Sequence, residues 1–273
     1  MSNVSESDSR SESNPVDEPS LIEVKSYFVR SRNALAVRAE FSQFFVDYYL
    51  HLMDSGLRNE DPADQLLKDA LVGLTLHMTT RPIRETHAWT LNFQDPLLNI
   101  FVTGSSLSQN LVGRAFTEGI RESQTGVFHS QLSIPDTEPR NSVVEIKGSS
   151  VFEAIEDFYA QSEQRLARIF PCGDEEFIMV SAQPDCDSDW LAALDNESIL
   201  ELDSAEELSL LERRHFKFEC GCSLERIFPA LAPLARNGLD ELFQGDQSIG
   251  VTCPRCAAKW RVTREQLEAV MKS

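Results

Sequence analysis

No run of eighteen apolar residues occurs in this 273-residue chain, which excludes a transmembrane helix. The N-terminal stretch MSNVSESDSRSESNPVDEPS has no apolar h-region, so no secretory signal is predicted. The expected compartment is therefore the cytosol, where cysteines serve metal or redox chemistry more often than disulfide stapling. P-loop, G-x-S-x-G and H-E-x-x-H patterns are all missing. The five histidines, His51, His77, His87, His129 and His215, stand singly and are read as surface or half-buried residues. No catalytic residue is predicted, and the chain is not expected to be an enzyme. No internal repeat is visible. Basic side chains are scarce, 25 Lys and Arg against 44 Asp and Glu, for a net charge of −19. That balance disfavours non-specific binding to nucleic acid, where counterion release rewards cations.

The charge is unevenly placed. Residues 216–273 carry eight Lys or Arg and seven Asp or Glu, a net of +1, so the preceding 215 residues carry −20. An acidic, soluble body thus precedes a nearly neutral end. With 41% hydrophobic residues the body can bury a sizeable core. Residues 1–20 are rich in Ser, Glu and Asp and are expected to be a disordered tail.

Periodicity predicts an α+β fold. Phe41, Phe44, Phe45, Tyr48 and Leu52 recur at helical spacing, and so do Leu66, Leu67, Ala70, Leu71 and Leu74, with Asp61 as cap and Pro62 at the first turn. HAWTLNFQDPLLNIFVTGSS reads as a hairpin about Gln94-Asp95-Pro96, and GVFHSQLSIP and SVVEIKG as further strands. Ser150 and Glu153 form a capping box that opens a helix running to about Phe170, with Phe152, Ile155, Phe158, Tyr159 and Leu166 on its apolar face. Asp203 to Arg214 suits a short charged helix. The expected organisation is a tail (1–20), an N-terminal α+β body (21–170), a helical connector (171–215) and a small C-terminal module (216–273).

That module holds four of the six cysteines. ECGCSLER supplies Cys220 and Cys222, and TCPRCAAKW supplies Cys253 and Cys256. Two close pairs a few dozen residues apart have the layout of a four-cysteine zinc site, one ion per chain. In the C-x-x-C pair Pro254 fixes the turn, while the C-x-C pair can present both thiols from one face of an extended backbone. Four unrelated buried cysteines are the alternative. Zinc-bound thiolates are also what oxidants attack, so the same site fits either an inert structural clip or an oxidant sensor.

FECGCSLER and VTCPRCAAKW, followed by a short helix, resemble the C-terminal redox domain of the heat-shock protein 33 family of redox-regulated holdase chaperones. The likeness extends to Asp157, Phe158, Tyr159, Ser162, Glu163 and Gln164, similar to the family's D-Y-F-x-x-S-E-Q helix, and to FVRSRNALAVRAEF and DPLLNIFVTG. It covers about Tyr27 to Val270. The resemblance implies an α/β substrate-binding body, a metastable helical linker, and zinc held by Cys220, Cys222, Cys253 and Cys256 in the reduced state. It further implies disulfides Cys220–Cys222 and Cys253–Cys256 on oxidation, unfolding of the linker, ATP-independent holding of unfolded clients in the cytoplasm under oxidative stress, and a homodimeric active form. The sequence departs from the pattern in a shorter connector, in Cys172 and Cys186, and in Ala257, where glycine is usual. The competing reading is a zinc ribbon for nucleic acid or a structural interaction module, with Arg255, Lys259, Trp260, Arg261 and Arg264 as contacts. The acidic body speaks against nucleic acid, and no membrane partner is expected.

Overall fold

The computed structural model describes residues 20–272. Residues 1–19 of the tail expected at 1–20 lie outside them. Strands and helices mix as α+β. In chain order they are β1 (Ile22–Val29), β2 (Ala34–Glu40), α1 (Ser42–Asp54), α2 (Ala63–Thr79), β3 (Thr86–Gln94), β4 (Leu97–Ser105), β5 (Asn110–Phe116), β6 (Gly126–Ser133), β7 (Arg140–Ile146), α3 (Val151–Gln161), β8 (Ala167–Pro171), β9 (Glu176–Ala182), α4 (Ser188–Ala193), α5 (Leu202–Ala205), β10 (Leu208–Phe218), α6 (Leu224–Asn237), α7 (Leu239–Phe243), β11 (Ser248–Thr252), β12 (Lys259–Thr263) and α8 (Arg264–Lys272).

Alternation builds one ten-stranded sheet, ordered β7-β6-β3-β4-β5-β10-β1-β2-β9-β8. In β3, His87, Trp89, Leu91 and Phe93 point inward while the residues between them are half-buried. The expected hairpin joins β3 to β4, with Gln94 opposite Leu97. All pairings are antiparallel except β10 with β5, which meet only through Lys217↔Asn110 and Phe218↔Leu111. A separate hairpin pairs β11 with β12.

Helices α1 and α2 present the faces expected of them. Phe44, Phe45, Tyr48 and Leu52 of α1 are buried, and in α2 Leu66, Leu67 and the run from Ala70 to Thr79 are buried. Each large apolar side chain removed from water stabilises the fold by about 1.5–3 kcal/mol. Gly113 lets α2 lie against β5: a Cβ there would stand 2.9 Å from Leu67 Cδ1 and 2.7 Å from the Phe101 carbonyl oxygen. Asp61 does not cap α2, which opens at Pro62 without a side-chain cap. The Ser150 half of the expected capping box forms, with Glu153 N donating to Ser150 Oγ over 3.3 Å.

Helix α3 stops at Gln161 rather than Phe170. The chain turns at Gln164, whose φ is 55°, and residues 167–171 become β8 because they pair with β9. Leu166 consequently lies off the helix and is exposed. The expected helix over 203–214 shrinks to the four residues of α5. Leu208 onward is captured by β1 as β10, from Val29↔Leu208 to Ile22↔Phe216.

The stretch 171–215, expected as a helical connector, therefore supplies two short helices together with β9 and most of β10. Strand β9 is buried on both faces. Phe177 and Met179 join the main core, while Ile178 and Val180 join a second core with Leu191, Leu194, Ile199 and Leu202 on the opposite face. Arg32 pins this cover to the β1–β2 turn through Asp187 at 2.7 Å and Glu206 at 2.8 Å. Arg38 adds a forked pair with Asp203.

Candidate metal centre

The cysteine pairs are brought together by two anchors. Phe218, two residues before Cys220, is clamped by α1: its ring centroid lies 5.7 Å from Phe44 and 5.4 Å from both Tyr48 and His51. Glu219 N then donates to the Leu111 carbonyl at 2.9 Å, extending the register with β5. Gly221 turns the backbone with φ of 61°. The C-x-C pair thus converges through a left-handed glycine, not through the extended backbone expected for it.

The second pair sits in the turn between β11 and β12. Cys253 N donates to the Ala258 carbonyl at 2.8 Å, and Ala257 N to the Cys253 carbonyl at 3.0 Å. Ala257 closes this turn with φ of 65°, a region favoured by glycine.

All four sulfurs lie within 4.8 Å of one another. Cys220 Sγ is 3.6 Å from Cys253 Sγ, and Cys222 Sγ is 3.6 Å from Cys256 Sγ. A tetrahedron with Zn–S bonds near 2.3 Å has edges of about 3.8 Å, so the donor set fits zinc closely. Among the described residues no other group of His, Cys, Asp or Glu meets that proximity, and no histidine joins the cluster. Cys220, Cys253 and Cys256 are buried and Cys222 is half-buried.

The electrostatics favour shared negative charge. Hydrogen bonding from the Cys256 thiol, opposed by burial and aided by Cys253 and Arg255, holds Cys220 down at about 5. Cys222 is pushed up to about 11 by burial and by the Cys220 charge. Cys256 is pushed up by its hydrogen bond to Cys220 and by burial. A divalent cation bound here would displace the protons that burial and the neighbouring sulfurs favour on Cys222 and Cys256.

Three basic side chains surround the sulfurs through backbone carbonyls or charge. Arg114 of β5 donates Nη1 to the Cys253 carbonyl at 3.2 Å, and its guanidinium lies 4.0 Å over the Phe116 ring. Burial lowers the Arg114 pKa, against the charge of Cys253 and Cys256. Arg255 donates to the Cys220 carbonyl at 3.4 Å, and His51 Nε2 lies 3.3 Å from the Cys256 carbonyl. Nothing local in the sequence marks Arg114 or His51, because each acts from an element distant in the chain.

The other residues singled out lie elsewhere. Cys172 and Cys186 are half-buried against the second core. His77 and His87 are fully buried rather than at the surface: His77 Nδ1 meets Tyr159 OH at 2.7 Å, and His87 meets Glu85 at 3.1 Å. Lys259 and Trp260 lie in β12, and the Trp260 indole N–H is buried. Arg261 donates to Ser248, and Arg264 is tied to Asp240 and Glu268.

The family model described as Hsp33 protein matches residues 173–263. The 33 kDa chaperonin of Caldanaerobacter subterraneus subsp. tengcongensis is 37% identical over 67 residues, 24% of this chain and 23% of that protein. The 33 kDa chaperonin of Nitrosococcus oceani is 25% identical over 151 residues, so the chain spans about half of its length, 52%. That of Aliivibrio salmonicida is 24% identical over 259 residues, 83% of this chain and 88% of the relative. In fold, the chain is similar to the crystal structure of the 33 kDa chaperonin (heat shock protein 33 homolog) of Thermotoga maritima, with a TM-score of 0.70 at 15% identity, covering 92% of this chain and 98% of that one.

Proposed function

We propose that the chain is a member of the Hsp33 family, which the family match and the 33 kDa chaperonin relatives support, and that it is a holdase chaperone switched by the oxidation of its four clustered thiols. The observation that carries this reading is the convergence of four sulfurs within 4.8 Å at the seam between the sheet and the C-terminal module. Zinc bound by Cys220, Cys222, Cys253 and Cys256 would supply a cross-link between segments some thirty residues apart. Peroxide then oxidises the thiolates to two disulfides, Cys220–Cys222 and Cys253–Cys256. Two electrons per bond pass to peroxide oxygen, which leaves as water, and the ligands are lost to the metal. The module and the adjoining part of the 171–215 stretch lose their support, and apolar surface of the body becomes available to unfolded clients. No nucleotide is needed, no reaction is catalysed, and the active form pairs as a homodimer in the cytoplasm.

The test follows zinc and clients in one tube. Reduced, zinc-loaded protein is treated with peroxide at mildly raised temperature. Metal release is read with a chromogenic chelator, and aggregation of a chemically unfolded client is read by light scattering. Release of one zinc per chain and suppression of aggregation should rise together without ATP. Equal suppression by reduced and oxidised protein would refute the switch, and a stoichiometry other than one would refute the site.

A further inference from the structure

The half-buried cation beside the cluster has no carboxylate partner. Among the described residues the ion pairs join cations to acidic side chains, and Arg114 enters none of them. Its Nε is buried without a hydrogen-bond partner. Its Nη1 turns to the Cys253 carbonyl at 3.2 Å. The guanidinium also lies over the Phe116 ring, and a half-buried cation with no carboxylate partner favours an anion beside it. Four thiolates on one divalent cation leave a net charge of minus two at this place, which is the missing counter-charge.

Arg114 also comes from the other side of a seam. It projects from β5 in the sheet, whereas Cys253 and Cys256 belong to the β11–β12 hairpin. Cys220, Cys253 and Cys256 pack into the core of the body with Phe44, Tyr48 and Phe218. The module keeps its own small core around Phe243, Val262 and Leu267. The cluster is therefore the part of the module that touches the body.

We infer that Arg114 is a positioning residue, the body's counter-ion to the zinc–thiolate cluster, and that it makes docking of the C-terminal module depend on whether the metal is bound. This inference deepens the reading above and rests on its four-thiolate zinc site, but not on chaperone activity. When the cluster carries its double negative charge, Arg114 is paired and the module sits on α1 and β5. When the thiolates become neutral disulfides, the same guanidinium is left at the seam without an anion and favours separation.

The test uses full-length protein carrying Arg114→Gln or Arg114→Lys. Zinc affinity is measured by chelator competition, melting temperature is measured with zinc and with zinc removed by chelator, and hydrogen exchange is followed over residues 51–57. Arg114→Gln should weaken zinc binding about 10–100-fold, the range typical of groups that support a metal ligand. It should shrink the rise in melting temperature that zinc confers, leave the zinc-free protein no less stable, and speed exchange over residues 51–57 only in the zinc-loaded state. Arg114→Lys, which keeps the charge, should retain most of the affinity. Unchanged affinity in Arg114→Gln, or an equal loss of stability with and without zinc, overturns the proposal. A protein whose zinc affinity depends on Arg114 but which never suppresses aggregation refutes the chaperone reading and leaves this one standing.

Discussion

Ala257 occupies a backbone position that its side chain opposes, and replacing it with glycine should tighten the metal site. Its φ of 65° lies in the left-handed region, where an L-residue with a Cβ costs roughly 1–2 kcal/mol. The turn leaves little choice. Ala257 N must reach the Cys253 carbonyl and Cys253 N the Ala258 carbonyl for Cys253 and Cys256 to face the same point. Glycine removes the steric cost but brings about 0.5–1 kcal/mol of additional unfolded-state entropy. The net gain for Ala257→Gly is therefore about 0.5–1 kcal/mol. Expressed in zinc affinity this is a roughly two- to fivefold tightening, since 1.4 kcal/mol corresponds to tenfold. Ala257→Val should go the other way by more than this, because a β-branched residue at positive φ is strongly disfavoured. Chelator competition on the wild type and the two variants ranks them, and far-ultraviolet circular dichroism of the zinc-loaded proteins controls for folding. An order other than Gly, Ala, Val from tightest to weakest would refute the strain argument.

Acid should weaken the body through its buried histidines. Burial holds His87 at about 4, opposed by the charge of neighbouring Glu85, against an ordinary value near 6.5. The unfolded chain thus binds the proton first, so stability is full above pH 6.5 and falls as the pH drops toward 4. The loss is about 3 kcal/mol from this residue, and His87→Gln should flatten that part of the melting-temperature curve. Cys172 and Cys186 should be dispensable. Burial pushes the Cys172 thiol up to about 11 and raises Cys186 as well, so neither is a ready thiolate. Protein carrying Cys172→Ser and Cys186→Ser should release zinc on the wild-type time course, and a slower or incomplete release would show that one of them takes part.

The parts of the fold legible in the sequence are those with a clean local period. Strands β3, β6 and β7 alternate, α1 carries one apolar face, and α2 shows the expected apolar spacing although its last ten residues are buried on every side. The strands that escape such a reading are held by partners far away in the chain. EFIMVSA, the β9 segment, is apolar on both faces because each face meets a different core, so it shows no period-2 signal. SLLERRHFKF looks like a charged helix, and only its long pairing with β1 makes it β10. The thiol cluster is readable because cysteine spacing is a local signal. The Arg114 contact is not, since an arginine in the polar phase of a strand looks the same whether it faces water or a metal site.

Strand β10 decides how far a change at the cysteines travels. Among the described residues the C-terminal module's own core buries Phe243, Val262, Leu267 and Ala235, with half-buried apolar side chains such as Phe228 and Leu231 packed against them, too small a core to order a chain of this length by itself. Structural zinc sites contribute apparent binding free energies of about 10–16 kcal/mol, so with zinc bound as proposed the order of the module would rest on the metal and on docking. The main core, with Trp89, Phe93, Phe128 and Tyr159 fully buried, does not. Between them runs β10, which ends two residues before Cys220. Its last residues hold to the sheet only through Lys217↔Asn110 and Phe218↔Leu111, whereas residues 208–216 are paired along the whole of β1. On that reading, loss of the cluster would free the end of β10 first and withdraw Phe218 from Phe44, Tyr48 and His51. Further back the opening meets the full β1 ladder and the Arg32 and Arg38 ion pairs. The apolar surface released most easily is thus the one beneath Phe218 and the cysteines, on α1 and β5, where the module was seated.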